Sequence, residues 1–136
     1  VFDGRSVLWS GVLENEALLS RVRTTLHDSY RMFAIEMVAS YGMPVGREVF
    51  ETCVWIGRFQ QVWRDPEAVK LVYRRDVKLH LCGNSRAKDA NIRQALIDKL
   101  GPVGTKAAPG PLYGVRSHAW AAVAVAVTAF DTLPKT

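Results

Sequence analysis

The chain has 136 residues and a mass of 15.1 kDa, is 49% hydrophobic and 23% charged, and so fits one compact domain and excludes extended disorder. Eighteen Lys and Arg against thirteen Asp and Glu leave a formal charge of +5, which permits a polyanionic partner without selecting one. The most apolar tract, Ala119 to Phe130, is rich in alanine; at about a dozen residues it is too short for a bilayer span and suits a closely packed helix.

The first punctuation is Asp3-Gly4, a hairpin-turn signal between Val1-Phe2 and Ser6-Val7-Leu8-Trp9. Two residues before a hairpin make only a stump of a strand, so the sequence is expected to start part-way along one, with Gly11-Val12-Leu13 closing the next. Asn15-Glu16-Ala17-Leu18-Leu19 opens a helical pattern to about His27, with Leu18, Leu19, Val22 and Leu26 on one side. Arg31 to Met37 reads as a short buried strand, bounded by Ser40-Tyr41-Gly42 and Pro44. Glu48 to Trp63 has helical spacing through Phe50, Val54, Phe59 and Val62, and Asp65-Pro66 stops it. Val69 to Tyr73 is a strand. Asp76 to Gly83 fits a short helix or an extended segment, and the pattern leaves both open.

Ala87 to Leu100 is a helix with Ala90, Ile92, Ala95, Leu96 and Leu100 as its apolar face, ended by Gly101-Pro102. Three prolines and four glycines between Gly101 and Gly114 make that stretch a loop, placed over a site or mobile. Ser117 is the expected N-cap of a last helix through Phe130. Early strands followed by helices alternating with strands predict an α/β sandwich with a mixed central sheet. Neither a repeat nor a coiled-coil period is present.

Cys53 and Cys82 lie in apolar runs without CxxC spacing and read as buried thiols; with no secretory leader at the start, they suit a reducing cytoplasm. Glu36 interrupts Phe33-Ala34-Ile35 and Met37-Val38. A carboxylate ending a buried strand calls for a metal or a cation, the alternative being a strand-end glutamate that reaches solvent or pairs with an arginine. His118 follows Ser117 at a helix start, where the imidazolium is disfavoured and a neutral ring can bind metal or handle a proton; a packing or capping histidine is the other reading. From Asp76-Val77-Lys78 to Gly83-Asn84-Ser85-Arg86-Ala87-Lys88-Asp89, a glycine turn and basic residues precede a helix. Its amides, with Arg86 and Lys88, suit a phosphate, with Arg74, Arg75 and Lys78 enlarging the patch and Trp55 or Trp63 available for stacking; a solvated charged surface is the alternative. The spacing of a P-loop is absent, as are G-x-S-x-G, HExxH and GxGxxG elements.

These segments resemble the RuvC-type Holliday junction resolvases, in particular their phage-encoded branch, within the ribonuclease H-like fold. The resemblance is carried by Phe33-Ala34-Ile35-Glu36, by Asp76-Val77-Lys78 with Gly83-x-x-x-Ala87-Lys88, and by His118-x-x-Ala121-Ala122-Val123-Ala124-Val125-Ala126, with Val1-Phe2-Asp3-Gly4 similar to the second strand and turn of that fold. It implies a single nuclease domain over residues 1–136, incomplete at its N-terminus and lacking the first strand. It further implies an endonuclease that cleaves branched DNA with Mg²⁺ or Mn²⁺, the metal activating water and stabilising the leaving oxygen. Glu36 corresponds to the family's central glutamate, His118 falls at the first acidic position of the final helix, Ala121 at the second, and Lys88 matches a basic residue near the cleaved phosphate. The first-strand Asp has no counterpart, since Asp3 belongs to the turn, and Ala121 cannot bind metal. Glu36 and His118 are thus the implied metal ligands, with Lys88 beside them in catalysis. The resemblance also implies branched DNA as partner, admits a homodimer, names no membrane, and places the protein in the cytoplasm, of a bacterial host if phage-encoded. A non-catalytic branched-nucleic-acid-binding or assembly protein of the same fold is the alternative.

Overall fold

The apolar spacing of Leu18, Leu19, Val22 and Leu26 does form a helical run in the computed structural model, which describes residues 1–134. Helix α1 (Asn15–Arg21) passes into a π turn over Val22–Leu26 and on into α2 (His27–Ser29). The wide turn falls where Thr24 Oγ1 donates to the Ser20 carbonyl at 2.8 Å and Ser29 Oγ to that of Thr25 at 3.0 Å, bonds that compete with regular helical pairing. Two units divide the chain: Leu13–Tyr73, and Val1–Val12 together with Arg74–Thr136.

In the first of these, β1 (Ala34–Met37) and β2 (Lys70–Tyr73) pair in parallel, with Ala34 opposite Lys70 and Glu36 opposite Val72. A parallel pair needs a long crossover, and α3 (Arg47–Val62) supplies it. Val22, Trp63 and Val69 form the core, ringed by Leu18, Leu26, Tyr30, Phe33, Ile35 and Val62. Phe33 lies 5.2 Å from Trp63, ring centre to ring centre. The architecture is mixed α/β, and among the described residues its sheet is this parallel pair, smaller than the mixed sheet that the sequence predicts. The apolar face of α3 also differs from expectation. Ile56 and Phe59 are buried, whereas Phe50 and Val54, which the spacing assigns to the core, are in solvent.

In the second unit, α4 (Arg74–Cys82), α5 (Asp89–Leu100) and α6 (Ala119–Asp131) pack against one another. The ambiguous segment around Asp76 is therefore helical. Val77, Ile92, Leu96, Val123, Ala124 and Val127 line the interior, joined by Leu112 and Val115 from the loop after α5. That loop is pinned by Gly110 N–H on the Val103 carbonyl at 2.9 Å and by Ala108 N–H on Thr105 Oγ1 at 3.1 Å. The expected N-terminal hairpin is reduced to one bridge between Phe2 and Val7. Asp3 makes the turn, its Oδ1 accepting from the amides of Arg5 and Ser6 at 2.8 Å each, and those bonds hold its carboxyl below the ordinary value. Gly4 has φ +98° with the Phe130 ring against it, so a side chain would be strained there.

Cys53 and Cys82 are free thiols, half-buried where full burial was expected. Among the described residues no helix is long and apolar enough to cross a membrane.

Candidate functional site

The basic tract is built from the end of α4 to the start of α5. Gly83, at φ +68°, stops α4 in the left-handed conformation that closes many helices. Asn84 Oδ1 then accepts from Arg86 N–H at 2.9 Å, and the Ala87 amide returns to the Asn84 carbonyl at 3.1 Å. Ala87 is buried and anchors the turn, leaving Arg86 and Lys88 on either side of it exposed. Lys88 precedes the first turn of α5: its amide donates to Asn91 Oδ1 at 2.9 Å, while its carbonyl accepts from Asn91 N–H at 2.9 Å. Asn91 therefore does the side-chain capping, and the Lys88 ammonium is left to other uses.

Arg74 forms an ion pair with Asp89, which places the start of α4 beside the residue that follows Lys88. Lys78 lies one turn along α4 from Arg74 and is half-buried; Arg75 is exposed. All five predicted phosphate-binding cations thus belong to the α4–α5 segment of one unit. The expected stacking residues belong to the other unit. Trp63 is 4% exposed in the core of the other unit, and Trp55, also in that unit, has the Arg58 guanidinium 4.0 Å over its ring.

His118 is exposed at the N-cap position of α6, but its backbone is already helical and its ring makes no capping bond. Ser117, expected to cap, instead has φ +51°, and neither side chain caps the helix. The first amides of α6 bond backbone carbonyls, Ala119 to Arg116 at 3.0 Å and Trp120 to Ser117 at 3.2 Å.

Glu36 is half-buried on β1 and lines a hollow of about 530 Å³ with Asn15, Thr52, Trp55, Glu48 and Glu51. Glu48 and Glu51 escaped the sequence reading because they sit on the helix that crosses between the strands, and only the parallel pairing brings them to Glu36. Glu51 is held by Arg47 at 2.7 Å. The two ligands implied by the resemblance fall in different units, Glu36 in one and His118 in the other. Among the described residues no three His, Cys, Asp or Glu side chains are grouped so as to hold a metal ion.

One further charged cluster was not foreseen. His80 on α4, Lys99 on α5 and Asp131 on α6 meet, with Asp131 Oδ2 at 2.7 Å from His80 Nε2 and 3.0 Å from Lys99 Nζ. Each member comes from a different helix, so no local spacing announces the triad.

The chain matches no protein-family profile, no curated protein and no solved structure.

Proposed function

We propose that this protein is a structure-selective endonuclease of branched DNA, such as Holliday junctions, related to the RuvC-type resolvases and built on a ribonuclease H-like fold. The observation that carries the DNA-binding reading is the α4–α5 turn. It exposes Arg86 and Lys88 at a helix start whose capping is done by Asn91, and Arg75 is exposed in the first turn of α4. Such cations hold backbone phosphates and encode position more than base sequence, which suits a partner recognised by its branching.

The catalytic reading draws on Glu36, a carboxylate at the edge of a hollow shared with Glu48 and Glu51. When bound, Mg²⁺ or Mn²⁺ supplies an activated water and charge stabilisation. Ala121 stands where the resemblance implies a carboxylate, and an alanine cannot hold a metal. That departure favours a second reading, a branched-DNA-binding or assembly protein without turnover.

The test is cleavage and binding of a synthetic four-way DNA junction by the full protein in Mg²⁺ or Mn²⁺, beside Glu36→Gln. Metal-dependent cleavage lost in the variant supports the endonuclease. Tight junction binding without cleavage in either metal selects the non-catalytic reading, and absence of junction binding overturns both.

A further inference from the structure

The positive charge of the chain is concentrated in one of its units. Val1–Val12 with Arg74–Thr136 holds eleven Lys and Arg against five Asp and Glu, while Leu13–Tyr73 holds seven against eight. Within the basic unit, two contacts fix how α5 and α6 run. Arg93, in the first half of α5, has its guanidinium 4.6 Å over the ring of Trp120 in the first turn of α6. Lys99, near the end of α5, meets Asp131 at the end of α6. The two helices therefore run side by side in the same direction, and their starts lie at one end of the unit. Arg86 and Lys88 precede the first start, and Arg116 precedes the second. Arg74 and Lys99 are held by Asp89 and Asp131, whereas Arg93 and Arg116 are exposed and have no carboxylate partner among the described residues.

We propose that the DNA strand gripped at the α4–α5 turn continues across α5 to the start of α6, with Arg93 as its middle phosphate contact and Arg116 as its far one. The inference rests on the DNA reading above and extends it to the course of the backbone. Arg93 lies five residues past Lys88, about 7.5 Å along the helix axis, which is roughly the rise of two phosphates on one strand. Stacking on an indole leaves a guanidinium its whole charge and its N–H donors, which lie in its own plane, so the fork stays available to phosphate oxygens. A carboxylate in the place of Trp120 would occupy those same donors. Trp120 is half-buried, and it acts as a positioning residue: a long side chain resting on its ring has less rotamer freedom to lose when it binds. Arg116 leaves the chain at the turn that opens α6, where its carbonyl accepts from the Ala119 amide at 3.0 Å, so its backbone is fixed as well. Contacts of this kind set the path of a strand and read no base.

The test is a salt titration of four-way junction binding by the full protein and its variants. Arg93→Ala and Arg116→Ala are each expected to weaken binding about three- to tenfold and to make the slope of log affinity against log salt shallower by about one. Arg23→Ala, which removes an exposed cation of the other unit, is expected to change neither. Trp120→Leu is expected to weaken binding about two- to fivefold in the parent chain, and to do nothing further in an Arg93→Ala background. A fold damaged by loss of the indole would weaken both backgrounds alike, so equal losses overturn the positioning role. If Arg86→Ala and Lys88→Ala lower the slope while Arg93→Ala and Arg116→Ala leave it unchanged, the strand ends at the α4–α5 turn. That result overturns this inference and leaves the DNA reading intact. A loss in Arg23→Ala as large as the others overturns it too, since binding would then follow overall charge. A parent chain without salt-dependent junction binding overturns the DNA reading and this path together.

Discussion

His80 Nε2 lies 2.7 Å from Asp131 Oδ2, joining α4 to α6, and Lys99 on α5 reaches the same oxygen at 3.0 Å. One carboxylate oxygen therefore ties together the three helices of its unit. Burial pushes the Asp131 carboxyl up, but the hydrogen bonds and charges of His80 and Lys99 outweigh it, and the group is held below the ordinary carboxylate value. A carboxyl depressed by folding contributes stability that is complete above its unfolded value, near 4, and is lost as pH falls through the lower folded value. Asp131→Asn is expected to cost about 2 kcal/mol at neutral pH and to flatten this part of the acid-side loss. Urea denaturation of both proteins across the acid range checks it, and equal pH slopes would show that the cluster contributes nothing.

Burial separates two leucines of the same unit. Leu96 is 0% exposed between α5 and its neighbours, while Leu79 on α4 is 43% exposed. Truncating the first removes packing and leaves a cavity, so Leu96→Ala is expected to destabilise by about 2 to 5 kcal/mol. Leu79→Ala removes side chain largely in water and is expected to stay within about 0.5 kcal/mol. Chemical denaturation distinguishes the pair, and similar losses at both positions would contradict the assignment of this core.

The elements that sequence pattern located well were those whose partners lie close along the chain. Leu18, Leu19, Val22 and Leu26 marked the first helical run, and Val69 to Tyr73 marked β2, because each carries its own periodicity. Phe50 and Val54 misled because hydrophobic spacing reports that a stripe is apolar and is silent about which stripe meets the core. The hairpin at Asp3 shrank to one bridge: the Asp3 amide donates to the Ser6 carbonyl, its carboxylate accepts from the Arg5 and Ser6 amides, and Leu8 N–H returns to the Val1 carbonyl. For the candidate site, Arg86 and Lys88 were visible as a basic turn beside a helix start, a local property. That Glu48 and Glu51 line the same hollow as Glu36, and that His80, Lys99 and Asp131 meet, depends on tertiary pairing and left no trace in spacing.

Ser117 tests the start of α6. A serine before a helix ordinarily stabilises it by capping, and removing a cap costs about 1 kcal/mol. Here φ is +51° and no side-chain cap is made. Ser117→Ala is therefore expected to change stability by less than about 0.5 kcal/mol, and Ser117→Gly to stabilise slightly, since glycine adopts the left-handed region without strain. A loss of a full cap's worth in Ser117→Ala would show that the hydroxyl does cap α6 in solution. Thermal melts of the two variants against the parent protein decide it.

Capping and phosphate binding at the start of α5 can be separated by substitution, because different atoms perform them. Asn91 bonds the backbone of Lys88 in both directions, so Asn91→Ala is expected to cost about 1 kcal/mol of stability. Its effect on DNA affinity should be confined to whatever loosening of the turn follows. Lys88→Ala and Arg86→Ala leave those backbone bonds in place and are expected to preserve the melting temperature. Each removes one cation from the turn. Junction binding should weaken across all sequences alike, and the slope of log affinity against log salt should become shallower by about one for each phosphate that is no longer neutralised. A salt titration of junction binding by the parent, the two cation variants and Asn91→Ala reads both effects. An unchanged slope in Lys88→Ala and Arg86→Ala would remove the α4–α5 turn from the DNA interface, while a changed melting temperature would show that these side chains hold the turn itself.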